Sequence, residues 1–261
     1  MPQLIRERLQ AGEVLFGPWC VVPSDYMMNV TASAGFDFVM VDLEHGPFTF
    51  DTAERMIRAA QAESVSAITR LGQISEEQIL KSLDAGADGV LTAHVESAAD
   101  AARVISYTKY YPDGGRGFSP FTRAGGYSGG DITRHSEVQN QRTVTGVILE
   151  GKQGIASLEE VLATEHLDLI YIGAYDLSQA LGMPGQVNHP EIRREMERCI
   201  RTIRDAGVAA GGFVARTRDD MQWMMDIGMQ FITYLPDCTV FHNAMRDAVE
   251  TFHQVRSGKE G

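Results

Sequence analysis

Eight short apolar runs, each followed by a stretch with helical spacing, repeat along nearly the whole of this 261-residue chain. The runs lie near residues 14–19, 36–42, 65–70, 88–92, 144–150, 169–173, 208–214 and 230–235. Helical patterns occupy 24–34, 51–62, 75–85, 97–110, 157–164, 190–206, 217–227 and 239–256. An apolar run bounded by turn residues reads as a strand buried on both faces, and strands alternating with helices build a parallel sheet. Eight such units predict a closed (β/α)8 barrel. The turns agree, because Ala85-Gly86, Ala206-Gly207 and Ile227-Gly228 place a glycine just past a helix, where a left-handed cap is common.

Barrels of this kind run to about 250 residues as one domain. No repeat, low-complexity tract or linker divides the chain, so one barrel domain over 1–261 is expected. A net charge of -12 without a basic cluster argues against nucleic acid or an anionic membrane as partner. Cys20, Cys199 and Cys238 are far apart, with neither zinc spacing nor a disulfide framework, so a reducing cytoplasm is the expected location. The segment Met1-Pro2-Gln3-Leu4-Ile5-Arg6-Glu7-Arg8 is too polar for a signal peptide, and no apolar stretch reaches the roughly 18 residues of a membrane span.

Residues 111–143 break the rhythm, with Pro112, Pro120 and many glycines. A loop this long in a compact domain is usually functional, and part of it is expected to border the site. The last helical stretch carries Phe241, Met245, Val249 and Phe252 at helical spacing. That stripe packs either on its own barrel or on a neighbouring subunit.

Chemistry in a parallel barrel is built at the C-terminal strand ends. Glu150 closes Val147-Ile148-Leu149, and Asp176 follows the run Leu169 to Tyr175. Each acid alone can cap a helix or pair with an arginine. Two on consecutive strands point to a divalent metal such as Mg²⁺ or Mn²⁺, held by hard oxygen ligands with positions left open for water and substrate. Arg70 ends Ala67-Ile68-Thr69, where a guanidinium suits a carboxylate or a developing enolate oxygen. Asp42 and His45 end a further strand and read as an oriented acid–base pair, while Glu44 can orient an arginine.

His94 is close to a strand end and reads as a polar wall residue that can reach the mouth; the other histidines have no inferable partner. Lys152, two residues past Glu150, offers a Schiff-base alternative. Gly114-Gly115-Arg116-Gly117 neither follows a strand nor opens a helix, so it is not a phosphate loop. Met221, Met224, Met225 and Met229 read as core filling.

The segment Gly35-Phe36-Asp37-Phe38-Val39-Met40-Val41-Asp42-Leu43-Glu44-His45-Gly46 resembles the signature of the HpcH/HpaI family of class II pyruvate aldolases. So do Gly115-Arg116-Gly117, Ile148-Leu149-Glu150 and Ile172-Gly173-Ala174-Tyr175-Asp176-Leu177-Ser178, in order and spacing across roughly residues 10 to 250. The resemblance implies a barrel of the phosphoenolpyruvate/pyruvate-domain type, assembled as a homohexamer, a trimer of dimers with exchanged C-terminal helices. By the same resemblance Glu150 and Asp176 hold the metal (Mg²⁺, Mn²⁺ or Co²⁺), Arg70 binds pyruvate and its enolate, and His45 with Asp42 forms the dyad. The backbone of Gly173, Ala174, Tyr175 and Asp176 helps to hold the pyruvate carboxylate. The activity implied is cleavage or formation of 4-hydroxy-2-oxo acids, giving pyruvate and an aldehyde through a metal-held enolate.

Departures from the pattern cluster near the presumed pocket. Ala174-Tyr175 stands where many members have a proline after the glycine, Thr92-Ala93-His94 where many also have proline, and Tyr234-Leu235-Pro236-Asp237-Cys238-Thr239 where a small glycine-containing turn is usual. Pocket walls are expected near Phe121, Arg123, Phe213 and Tyr234, with Phe213 touching substrate. The rival activities are a citrate-synthase-like condensation of acetyl-CoA with oxaloacetate on the same fold, the Lys152 Schiff-base lyase, and a catalytically silent 2-oxo acid binding protein.

Overall fold

The structure is a computed structural model describing residues 3–258. Met1 and Pro2 of the N-terminal segment, and residues 259–261 of the 1–261 span, lie outside the described residues. Eight parallel strands close in sequence order into a barrel. They are β1 Leu15–Cys20, β2 Phe38–Asp42, β3 Ser66–Leu71, β4 Gly89–Thr92, β5 Val144–Leu149, β6 Leu169–Ile172, β7 Ala209–Ala215 and β8 Phe231–Tyr234. The expected strands are all present, with ends shifted by one or two residues.

The helices are α1 Ile5–Gln10, α2 Asp25–Ala32, α3 Phe50–Ala62, α4 Glu76–Asp84, α5 Ala98–Thr108, α6 His135–Arg142, α7 Lys152–Ala156, α8 Leu158–Leu162, α9 Ala174–Ala180, α10 Pro190–Asp205, α11 Arg218–Asp226 and α12 Asp237–Ser257. Side-chain caps start several of them: Ser75 accepts from the Gln78 amide, Ser97 from Asp100 and Thr217 from Asp220. Each satisfies one of the amides that a helix N-terminus leaves without a partner. Four helices escape a reading based on periodicity. α1, α6, α7 and α9 span one or two turns, too short for an apolar stripe to repeat.

Strand pleating sorts side chains into an inner and an outer core. Leu15, Trp19, Phe38, Met40, Ile68, Leu91, Ile148, Leu169, Tyr171 and Phe231 pack together inside the barrel. Val39, Val41 and Ala67 face outward onto α2 and α3 with Met28, Met56 and Ile57. Inside, the Phe38 and Phe231 rings stack with centroids 3.9 Å apart. Gly17 makes this possible, because a Cβ there would stand 2.1 Å from the Phe38 carbonyl oxygen.

The 111–143 segment lies at the opposite end of the barrel from the expected site. Arg123 donates to the Ala85 carbonyl at 3.0 Å and to Gln61 at 2.7 Å, and the Ala124 amide reaches the Asp84 carbonyl. These partners end α3 and α4, just before strands begin. The reason is topological: a connection that follows a helix returns to the N-terminal strand ends. A cleft of about 1010 Å³ opens on this face, lined by Arg8, Asp37, Gln61, Asp88 and Arg123 among others.

Removing the inner stack tests the layered core. Phe38→Ala is expected to cost about 3–5 kcal/mol of unfolding free energy, read by urea denaturation, because the closed barrel cannot collapse onto the space left.

Candidate active site

Pleat parity directs residues at or next to the ends of β2, β3 and β5 to the barrel axis. Phe38 and Met40 face inward, so Asp42 does too; Ile68 brings Arg70 inward, and Ile148 brings Glu150. Asp42 is 2% exposed. Its carboxylate takes the Arg70 Nε–H at 2.8 Å and an Nη2–H on the second oxygen, a two-point pair between neighbouring strands. The same carboxylate accepts from the Glu44 amide at 3.1 Å and the His45 amide at 3.2 Å, which forms the turn after β2. Trp19 lies beneath, its ring 4.5 Å from the Arg70 guanidinium.

This differs from the expected Asp42–His45 dyad. The His45 amide, not its imidazole, donates to Asp42, and the residue is exposed. Physically, Asp42 is committed twice, to a buried cation and to a tight turn. The residue three positions on presents its amide to that turn.

Glu44 does orient an arginine. Its Oε2 lies 3.2 Å from Arg70 Nη1, and its Oε1 lies 3.2 Å from His94 Nε2. His94 Nδ1 stands 2.8 Å from Glu150 Oε1, and the His94 amide donates to the same oxygen at 3.2 Å. His94 has φ +58°, a conformation that costs energy for any residue with a Cβ and tends to occur where side chains are held for function. One chain of charges thus runs Asp42–Arg70–Glu44–His94–Glu150 over β2, β3, β4 and β5. His94, read from sequence as a wall residue, is the link that sequence reasoning missed. Its place two residues past the end of β4 was the available signal, but alternation alone sends it outward and only the left-handed φ turns it back.

Glu150 packs against Gly173, where a Cβ would come within 2.6 Å of the Glu150 Cβ. Burial pushes the Glu150 carboxyl up; His94 pulls it down, and the charges of Asp176 and Glu44 push it further up. Asp176 lies in the first turn of α9. The Gly173 amide is donated to the Leu149 carbonyl at 3.0 Å, which leaves the first-turn amides of Ala174, Tyr175 and Asp176 to face ligand or solvent. Among the described residues no cluster of three or more His, Cys, Asp or Glu side chains has metal-binding geometry. Glu150 and Asp176 therefore form a two-carboxylate site at most.

Other expected residues fall elsewhere. Phe213 is 3% exposed and packs edge-on to Trp223 at 5.5 Å, between α10 and α11 rather than in the mouth. The cause is a bulge in β7, where register shifts between Gly211 and Val214 and Phe213 adopts φ +62°. Its carbonyl, not its ring, turns inward and accepts from the Tyr171 hydroxyl at 2.6 Å and the Thr233 hydroxyl at 2.8 Å. Tyr234 turns its ring to Phe16 at 5.6 Å, as its outward parity requires. Phe121 and Arg123 are on the far face. Lys152 opens α7 as an exposed residue, without the apolar pocket that activates a Schiff-base lysine.

The HpcH/HpaI aldolase/citrate lyase family model matches residues 15–244. The chain belongs to this family. It is 34% identical over 257 residues to a 2-keto-3-deoxy-L-rhamnonate aldolase of Escherichia coli K12, covering 98% of this chain and 94% of that one. Its fold is similar to that of an HpcH/HpaI aldolase/citrate lyase family protein from Burkholderia cenocepacia, with TM-score 0.89, 26% identity and coverage of 95% and 98%. It is also similar to citrate synthase SbnG, with TM-score 0.88, 26% identity and coverage of 98% and 99%. Family membership makes the chain a carbon–carbon lyase. No helix among the described residues is long and apolar enough to cross a membrane.

The raised Glu150 pKa has a signed consequence for this family member. A carboxyl whose pKa is higher folded than unfolded binds its proton more tightly in the folded state. Its ionised form therefore costs stability at neutral pH, and the cost disappears as pH falls below about 4, the ordinary carboxyl range. Glu150→Gln, metal-free, is expected to melt above the wild type at about pH 7.5 and level with it near pH 4, read by scanning calorimetry.

Proposed function

We propose that the chain is a divalent-metal-dependent aldolase, cleaving or forming 4-hydroxy-2-oxo acids with pyruvate and an aldehyde as the other partners. The observation that carries this reading is the charge chain at the C-terminal strand ends. It joins an arginine with free donors to a pair of crowded carboxylates, one of them Glu150 with its raised pKa.

The residues suit a metal. Glu150 and Asp176 are hard oxygen donors whose mutual repulsion a dication relieves, and two protein ligands leave room for water and a bidentate 2-oxo acid. Bound there, a divalent ion supplies Lewis-acid polarisation of the 2-oxo group. The chain's own residues do the rest. Arg70 uses three donor directions on Asp42 and Glu44, and its remaining N–H groups hold the carboxylate and the oxygen on which negative charge develops. The Trp19 ring, its centroid 4.5 Å from the guanidinium carbon, packs against the head group. His45, free of Asp42 and exposed in the mouth, takes the C4 hydroxyl proton as the C3–C4 bond breaks. The first-turn amides of Ala174, Tyr175 and Asp176 hold the carboxylate of the pyruvate half.

The proposal extends to the assembly that the resemblance implies, a homohexamer with exchanged C-terminal helices. α12 supports it, because none of its residues is buried and Phe252 stays 61% exposed along the Phe241, Met245 and Val249 stripe. A monomer rarely leaves so long an apolar stripe in water. Light scattering is expected to give a mass six times that of the chain, and Phe252→Glu with Met245→Glu to lower it.

Pyruvate release from 4-hydroxy-2-oxo acids, measured after chelation and again with Mg²⁺, Mn²⁺ or Co²⁺ restored, tests the reaction. Arg70→Ala is expected to lower kcat by about 10²–10³. Cleavage that survives chelation rejects the metal. Citrate formation from acetyl-CoA and oxaloacetate, with no aldol cleavage, moves the assignment to the second reading, which the likeness to citrate synthase SbnG supports.

A further inference from the structure

We propose that Arg216, seated over Tyr175 on the rim between β6 and β7, selects the aldehyde half of the substrate and takes one that carries an anion, a carboxylate or a phosphate ester. The inference rests on the aldolase reading and extends it to the far end of the substrate.

The β7 bulge aims this residue. Before it, Ala209 packs in the inner core, while Ala210 faces out. Simple alternation would then bring Phe213 inward and send Arg216 outward. The left-handed Phe213 reverses the phase, so Phe213 and Ala215 join the outer core and Val214 the inner one. Arg216, two residues beyond Val214, inherits the inward direction at the top of the strand. The bulge is fixed from inside by the Tyr171 and Thr233 hydroxyls on the Phe213 carbonyl.

The Arg216 backbone is fixed too. Its amide donates to Asp220 Oδ2 at 3.2 Å, and Asp220 is itself paired with Arg193 at 3.1 Å. The Arg216 guanidinium stands 5.8 Å from the centroid of the Tyr175 ring. Tyr175 is the residue before Asp176 and is 42% exposed, so its ring forms a platform at the edge of the presumed metal site. Among the described residues the Arg216 side chain has no carboxylate partner, and its fork of donors is open to a ligand.

Charge then fixes the class of ligand. The mouth already holds Asp42, Glu44, Glu150 and Asp176, which repel a second anionic group unless a cation receives it. Arg70 is consumed by Asp42, Glu44 and the pyruvate half. Arg216, over the Tyr175 ring, is a cation available for the other end, and its planar guanidinium suits both carboxylate and phosphate better than the single ammonium of Lys152.

The test joins pyruvate to a panel of aldehydes in the presence of Mn²⁺. The C3 proton of pyruvate leaves, a bond forms to the aldehyde carbon, and the aldehyde oxygen gains a proton. Succinic semialdehyde supplies the carboxylate, glyceraldehyde 3-phosphate the phosphate ester, and glyceraldehyde a neutral comparison. The wild type is expected to favour at least one anionic aldehyde over the neutral one in kcat/KM. Arg216→Gln is expected to reduce that ratio by about 10- to 100-fold, and Arg216→Lys to restore part of it. Arg218→Gln, a nearby exposed arginine outside the site, is expected to keep the ratio. Equal or greater preference for glyceraldehyde, or a ratio unchanged in Arg216→Gln, overturns the proposal while leaving the aldolase reading intact. Failure to join pyruvate to any aldehyde overturns both.

Discussion

Asp42 accepts four hydrogen bonds in a place almost closed to water, two from Arg70 and two from the amides of Glu44 and His45. Taking a carboxylate out of water is costly unless it is paired and hydrogen-bonded, and here three donors meet Oδ1 and one meets Oδ2. The pair fixes the Arg70 head group to the top of the barrel, and that in turn fixes Glu44, His94 and Glu150. Removing Asp42 alone would strand a buried guanidinium, so the rest of the mouth depends on a contact that touches no substrate. The same commitment frees His45. An imidazole bound to Asp42 would be held low on the barrel; carried past it by the turn, the His45 side chain is exposed and, in the aldolase reading proposed above, available to the C4 hydroxyl proton.

Two of the residues with left-handed φ lie towards the C-terminal strand ends for a related reason. His94 and Phe213 both hold left-handed φ at the ends of β4 and β7. Neither has glycine's freedom, and each is over-determined by contacts: His94 by two carboxylates, Phe213 by two hydroxyls on its carbonyl. In both cases the strain re-aims a side chain that ordinary pleating would send elsewhere. Strain of this kind persists only where surrounding contacts hold it in place.

The sequence makes the barrel legible because each buried strand is a run of apolar residues with a polar residue at its end. That pattern locates Asp42, Arg70, Glu150 and Asp176 without coordinates. It fails where geometry departs from strict alternation. Phe213 sits at the correct strand end, yet a one-residue bulge turns its ring away; nothing in Ala209-Ala210-Gly211-Gly212-Phe213 states that the extra residue is there, although paired glycines permit it. The Asp42–His45 pair fails differently. Spacing brings the residues near each other but does not say whether side chain or amide makes the contact. Arg123 and Phe121 fail through topology, since a connection entering a strand belongs to the far face whatever its composition.

The mouth divides by strand. The ends of β2, β3, β5 and β6 carry Asp42, Arg70, Glu150 and Asp176, where the chain keeps the family motif apart from Ala174-Tyr175. β4, between β3 and β5, carries His94, and the neighbouring β7 and β8 carry the Phe213 bulge, Arg216 and the Tyr234-Leu235-Pro236 turn; the chain departs from the motif at Thr92-Ala93-His94 and at that turn. In the aldolase reading, making or breaking one carbon–carbon bond next to a 2-oxo acid needs the first set whatever the second substrate is. The second set is then left for the part of the substrate that differs between reactions. An HpcH/HpaI aldolase/citrate lyase family protein and a citrate synthase share this barrel. What separates them has to be sought on the β4, β7 and β8 rim, where side-chain direction is set by bulges and left-handed residues rather than by strand alternation.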